Sequence, residues 1–231
     1  MRMVTLSIPV ALALCLGAAQ LSAQQPGNGT FQWYVGGHGG VMNFGMGTER
    51  ENIPLGGAHL LVTARRTGLL LSAEQGLDAD GAGVYSVQTF NGDGTPLSSE
   101  TLATTFSYIR KYSAALMAFP IRGPATPYFG IGVGILHTGG HSTDDDVVKS
   151  MGSSGFGTLI GGVNFRVSRF SAFGQYQVTT GPGRRTYSQT FSDGSQVFAF
   201  GNLLSGPTHT FTAGLRFNLG NARERASGGG Y

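Results

Sequence analysis

The chain has 231 residues, of which 12% are charged and 40% hydrophobic, with 39 glycines and a net charge of +3. Charge this sparse is about half the share usual in soluble domains, and a small net charge without a basic stripe interleaved with aromatics excludes a nucleic-acid surface. Past the first 23 residues no run approaches the ~18 apolar residues of a spanning helix, so membrane insertion would have to go through a closed β-barrel.

At the N-terminus, Arg2 supplies a positive region and residues 8–19 form an uncharged apolar run, followed by small residues. This is the pattern of a secretory signal peptide, too short for a membrane anchor, with cleavage after Ala19 or Ala23. Residues 1–23 are assigned to it. Leu14 stands where a lipobox needs a small residue, which excludes lipidation at Cys15. Cys15 is the single cysteine and leaves with the signal, so disulfides and thiolate chemistry are excluded from the mature chain.

Eight strand-like segments follow between turn signals, at residues 31–44, 53–65, 68–77 (with a prolongation toward 90), 97–119, 127–137, 155–167, 170–178 and 208–219. Most reach the ~9–11 residues that cross a bilayer at a tilt. Short links at Arg65–Gly68, 121–126 and Ser168-Arg169 alternate with long polar ones at 45–52, 78–96, 138–154 and 179–207. Such alternation matches tight periplasmic turns and longer external loops, with both termini in the periplasm. The prediction is an all-β, eight-stranded antiparallel transmembrane up-and-down barrel over residues 24–219, then a short flexible periplasmic tail at 220–231.

The last segment shows the pattern most plainly. Phe211, Ala213, Leu215, Phe217 and Leu219 share one face, and Thr210, Thr212, Gly214, Arg216 and Asn218 the other. Arginine at the centre of the polar face does not suit a dry core; it suits a polar lumen with lipid outside. By the same alternation Leu69, Leu71, Ala73, Phe129, Ile131, Val133, Ile135, Leu159, Val163, Phe165, Val167, Phe170, Ala172, Tyr176 and Val178 face outward. In the segment at 97–119, neither set of alternate residues from Phe106 to Phe119 is clearly the greasier. Trp33, Tyr34, Tyr112, Tyr128, Phe170 and Phe217 fall near strand ends, as interfacial aromatic girdles do.

The inward set Glu74, Arg166, Arg216, Asn164, Gln175 and Gln177, with His38 or His59, is the polar constellation of the chain. In a lumen only wide enough for side chains it reads as a structural plug whose charges must pair, Glu74 with Arg216 or Arg166. Asp144, Asp145 and Asp146, beside His137 and His141, and Arg184-Arg185 lie in external loops. They are candidates for contact with a cation, with lipopolysaccharide or with anionic headgroups, although three successive acids do not reproduce a calcium loop. No catalytic or metal site is assigned. A hydrolytic site would need a nucleophile, a base and an orienting group, and no lipid-facing His and Ser stand two apart: His59 is followed by Leu61, His209 by Phe211, and His141-Ser142 are adjacent. The runs Gly36-Gly37 and Gly39-Gly40 lack the Lys-Ser/Thr and helix of a phosphate loop and read as kinks or close packing.

Four stretches, Pro127-Tyr-Phe-Gly-Ile-Gly-Val-Gly134, Gly161-Gly-Val-Asn-Phe-Arg-Val-Ser168, Ala172-Phe-Gly-Gln-Tyr-Gln177 and Ala213-Gly-Leu-Arg-Phe-Asn-Leu219, resemble the last strands of OmpA/OmpX-like outer-membrane barrels. The resemblance implies an outer-membrane location, assembly by the outer-membrane insertion machinery, and contact with outer-membrane lipids and lipopolysaccharide. It also implies a cofactor-free monomer with a structural or surface-interaction role through an unknown extracellular ligand. Two alternatives remain, a narrow small-solute channel and a lipid-A- or phospholipid-modifying enzyme. Family members end on an aromatic residue read during assembly; here residues 220–231 follow the last strand and leave no room for a peptidoglycan-binding domain.

Overall fold

Residues that alternate apolar and polar form sheet, and a sheet wetted by lipid must close, because hydrocarbon offers its edge N–H and C=O groups no partner. The computed structural model describes residues 30–46, 49–77, 81–121, 123–141, 148, 152–181, 185–202 and 204–223. The described residues form twelve strands: β1 (Thr30–Met46), β2 (Glu49–Ala64), β3 (Thr67–Gly76), β4 (Gly81–Phe90), β5 (Pro96–Phe106), β6 (Tyr108–Ala118), β7 (Ala125–Gly139), β8 (Ser153–Val167), β9 (Phe170–Thr179), β10 (Arg185–Thr190), β11 (Gln196–Asn202) and β12 (Ser205–Arg223). No described helix is long and apolar enough to cross a membrane.

Eight of these strands close into an antiparallel barrel in the order β1-β12-β9-β8-β7-β6-β3-β2. Each pairs with the next barrel strand along the chain, β3 with β6 and β9 with β12 across the intervening hairpins, and β12 returns to β1 with His38 opposite Gly214 and a bulge at Trp33/Tyr34. The short turns β2–β3, β6–β7 and β8–β9 and both strand termini share one end; the longer connections share the other. Arg65 and Ser168 begin two-residue turns with φ of 50° and 59°.

The outer wall carries the predicted apolar side chains. Phe129, Ile131, Val133 and Ile135 are 57–67% exposed, and Leu116, Leu159, Phe211 and Leu215 exceed 60%. In water each such side chain would forgo roughly 1.5–3 kcal/mol of burial. Inside, two apolar clusters cap the lumen. The loop-side cluster includes Met42, Phe44, Leu55, Phe106, Leu136 and Phe156; the turn-side cluster includes Tyr34, Leu61, Leu70, Met117, Tyr128 and Ile160.

Three predicted features are corrected. The segment expected at 97–119 is two strands: β5 leaves the barrel, and only β6 belongs to its wall. The links at 78–96 and 179–207 contain hairpins, β4–β5 and β10–β11, which pair through β11 and β4 into a separate sheet ordered β10-β11-β4-β5. Tyr34 and Tyr128 are not girdle residues; at 3% and 1% exposure they are lumen residues, since each occupies the inward parity of its strand. Trp33, Tyr112 and Phe170 do stand on the outer wall. Beyond Leu219, β12 continues to Arg223. Residues 1–29, with the proposed signal, and 224–231 lie outside the described residues.

Candidate functional site

Between the two apolar caps the lumen holds a line of polar side chains. On β1, His38 sits between Gly57 of β2 and Gly214 of β12, its direct partners across the sheet. A Cβ at position 57 would lie 2.6 Å from the Ala73 carbonyl oxygen and 2.8 Å from His38 Nε2. Glycine there is the space the imidazole occupies; in the run around His38, Gly36 and Gly40 are likewise closed off by the β12 backbone, whereas Gly37 and Gly39 have room for a side chain.

One end of the line fixes the rest. Arg216 Nε, which can only donate, lies 3.0 Å from His59 Nε2. His59 Nε2 must accept, so its proton sits on Nδ1 and points at His38 Nδ1, 3.1 Å away. His38 then accepts at Nδ1 and donates from Nε2 to Glu74 Oε1 at 3.2 Å. The other carboxylate oxygen forms a 2.9 Å ion pair with Lys111 Nζ. Both tautomers follow from a guanidinium that never accepts.

Besides this ion pair, Lys111 Nζ donates to Thr210 Oγ1 at 3.3 Å and to Gln177 Oε1 at 3.5 Å. Gln177 passes its amide to Thr158 Oγ1 at 2.9 Å, and Thr158 donates to the Val178 carbonyl at 3.1 Å. Arg216 meets no described carboxylate. Its charge rests on the face of Phe173, 3.9 Å from the ring centroid, with Asn164 Oδ1 3.4 Å from Nη1. Such cation–π contacts are worth about 2 kcal/mol when desolvated.

The sequence-predicted set is therefore only partly gathered. Glu74, Arg216, Asn164 and Gln177 join this line. Gln175 accepts from Tyr128 Oη at 3.2 Å, nearer the turns. Arg166 donates to Tyr34 Oη at 2.7 Å, at the turn-side mouth. The expected pairing of Glu74 with Arg216 or Arg166 is replaced by Lys111 and His38, because register places Lys111 directly opposite Glu74. Sequence reading missed Lys111 because neither face of β6 is the greasier: Ile109 and Met117 turn inward with Lys111, while Arg110 shares the outer face with Tyr112 and Leu116. Asp144, Asp145, Asp146 and Arg184 lie outside the described residues, and of Arg185 only the backbone, opening β10, is described. Beside that loop, His141 Nε2 donates to the Thr138 carbonyl at 3.0 Å, and burial pushes its imidazole below the usual range.

On the outer wall the structure forms a pair that a search along single strands does not find. His137 of β7 and Ser153 of β8 are direct cross-strand partners, with Nδ1 2.7 Å from Oγ. Among the described residues no Asp or Glu is bonded to His137, the place where a hydrolase has its orienting third group.

No protein-family model matches the sequence, and no curated protein matches it. Among solved structures the chain is similar to Neisserial surface protein A, at TM-score 0.53 and 11% identity, covering 81% of this chain and 97% of that one. It is also similar to Ail, the attachment invasion locus protein of Yersinia pestis, solved with the heparin analogue sucrose octasulfate, at TM-score 0.36 and 13% identity over 82% and 99% of the two chains. A FadL homologue of Pseudomonas aeruginosa matches at TM-score 0.31 and 13% identity, over 74% of this chain and 37% of that one. The chain thus has the eight-stranded architecture of small OmpA/OmpX-like outer-membrane barrels.

Proposed function

We propose that the chain is a monomeric outer-membrane protein, exported by a signal peptide at residues 1–23. Its barrel is a closed structural pedestal, and its task is to hold a recognition sheet above the cell surface. The short turns and the tail beyond β12 face the periplasm; the β4–β5 and β10–β11 hairpins face outward. Outer-membrane lipids surround the wall, and the insertion machinery assembles it.

One observation carries this reading: two hairpins from loops about 100 residues apart pair into one sheet whose end strands, β5 and β10, have no further strand beside them among the described residues. Floppy loops would serve to fill space; a paired sheet with two open edges presents a fixed row of backbone donors and acceptors to which a partner strand can add. Its tips are matched. Asp93 Oδ1 accepts from the Thr95 amide and hydroxyl at 3.0 and 2.7 Å, and Asp193 Oδ1 from those of Ser195 at 2.9 and 2.6 Å. Gly94 and Gly194 take φ of 84° and 86° beside them. Against the channel alternative stand the apolar caps at both ends of the lumen and the pairing of Glu74 with Lys111 and His38 between them. Against the enzyme alternative stands the fact that no acid among the described residues is bonded to His137.

The test compares surface attachment of cells carrying the full chain with cells carrying a chain whose two hairpins are cut back to Gly-Ser turns. The expected result is equal barrel assembly, seen as equal heat-modifiable migration on gels, with attachment lost. Equal attachment by both chains would refute the reading.

A further inference from the structure

Four outward side chains at the loop-side ends of adjacent strands form one continuous row. Gln75 of β3 is opposite Arg110 of β6, Arg110 is opposite His137 of β7, and His137 is opposite Ser153 of β8. The next outward row toward the turns is Ala73, Tyr112, Ile135 and Gly155, where the apolar belt begins; Tyr112 and Ile135 are 50% and 57% exposed. The row is thus the first polar rank above hydrocarbon, at the depth where lipid headgroups lie.

Its members are held rather than loose. The Arg110 guanidinium stacks 4.5 Å over the Tyr108 ring and donates from Nε to Gln75 Oε1 at 3.2 Å. That leaves its two terminal nitrogens unbonded among the described residues, and no described acid pairs with it. His137 Nδ1 is engaged by Ser153. If the serine hydroxyl donates there, the imidazole keeps its proton on Nε2 and offers it outward. Donors and one fixed positive charge therefore line the row without a described acid. Three strand spacings make it about 14 Å long.

We infer that this row binds the phosphorylated sugar head of an outer-leaflet glycolipid, with Arg110 pairing a phosphate and His137 and Gln75 hydrogen-bonding the same head. Charge complementarity selects an anion, since a planar guanidinium recognises phosphate through two parallel hydrogen bonds. The length of the row selects a sugar head over the single phosphate of a phospholipid. The inference rests on the proposed membrane orientation but not on the recognition sheet.

The experiment places the refolded full chain in phosphatidylcholine nanodiscs doped with diphosphorylated lipid A and measures lipid retained on the released barrel by native mass spectrometry. Arg110→Gln is expected to retain about tenfold less, the loss of one charge-assisted contact, and Gln75→Ala, which frees the guanidinium, several-fold less. Arg50→Gln, at an exposed cation outside the row, is expected to retain the wild-type amount. Each variant is first shown to be heat-modifiable; should Arg110→Gln not fold, Gln75→Ala carries the comparison. Equal retention by the row variants, equal retention of dephosphorylated lipid A, or equal retention of phosphatidylglycerol would overturn the inference. So would deacylation of lipid A abolished by Ser153→Ala, which would make the row a catalytic site. A chain that never enters the nanodisc refutes the membrane reading itself, and is distinguishable from one that enters and retains no lipid A.

Discussion

Along β7, every second side chain from Phe129 to Ile135 is apolar and more than half exposed, while inward-facing residues of β3, β6 and β12 bury Glu74, Lys111 and Arg216 to 6% or less. This inverts the arrangement of a protein folded in water. An apolar outer wall is tolerable only against hydrocarbon, and a buried charge only where partners replace its lost hydration. The two faces therefore fail differently: the outer wall tolerates any apolar side chain and no charge, whereas the lumen tolerates few changes of any kind.

The largest effect is expected in the lumen. Lys111→Met leaves Glu74 buried with a single hydrogen bond and should cost about 3–5 kcal/mol, measured by urea unfolding of the lipid-embedded barrel. Adding Glu74→Gln, which keeps an acceptor for His38, should recover much of that loss; simple addition of the two single losses would deny the pairing. On the outer wall, Val133→Arg should cost roughly 2–4 kcal/mol if it lies near the bilayer midplane. Ser188→Arg, on exposed β10 of the loop sheet, should stay within about 0.5 kcal/mol. Similar costs at both sites would erase the distinction between lipid-facing and water-facing strands.

A smaller steric effect is expected at Gly57→Ala, whose added methyl would crowd the Ala73 carbonyl and the His38 ring. About 1–3 kcal/mol is expected, together with a shift of the His38 and His59 ring-nitrogen resonances; unshifted resonances would dissociate the glycine from the imidazole line. The smallest effect lies at the hairpin tips. Hydrogen bonds from the Thr95 hydroxyl and amide hold the Asp93 carboxyl below its usual range, and those from Ser195 do the same for Asp193. A depressed folded pKa gives stability that is complete above the unfolded value and fades as pH falls through the folded one. Exchange protection of the Thr95 and Ser195 amides should therefore fade under acid while the barrel amides stay protected. Asp93→Asn, which keeps the acceptor, should abolish that dependence at Thr95.

The faces of β7, β8, β9 and β12 were legible because each strand has one purely apolar parity, and a period of 2 leaves no second solution. The loop sheet was not. Its edge strand β5 is exposed on both sides over Pro96–Thr101, and its buried cluster of Tyr85, Val148 and Ala199 is too small to imprint a period on the sequence. That blankness ran β5 into β6, and the mixed faces of β6, with Ile109 inward and Arg110 outward, concealed the inward parity of Lys111. Pairs such as Glu74–Lys111 and His137–Ser153 depend on register between strands separated by long insertions, which periodicity within a strand does not encode. The glycines around His38 signalled crowding, but not which ring fills the space.

Trp33 is the chain's single tryptophan, and it stands 41% exposed on the outer wall toward the turn end. Its fluorescence in the lipid-embedded protein is therefore the most direct report of what wets that wall. With brominated acyl chains strong quenching is expected, and with aqueous acrylamide little. Strong quenching by acrylamide with none by brominated lipid would place water on the outer wall and contradict the membrane barrel.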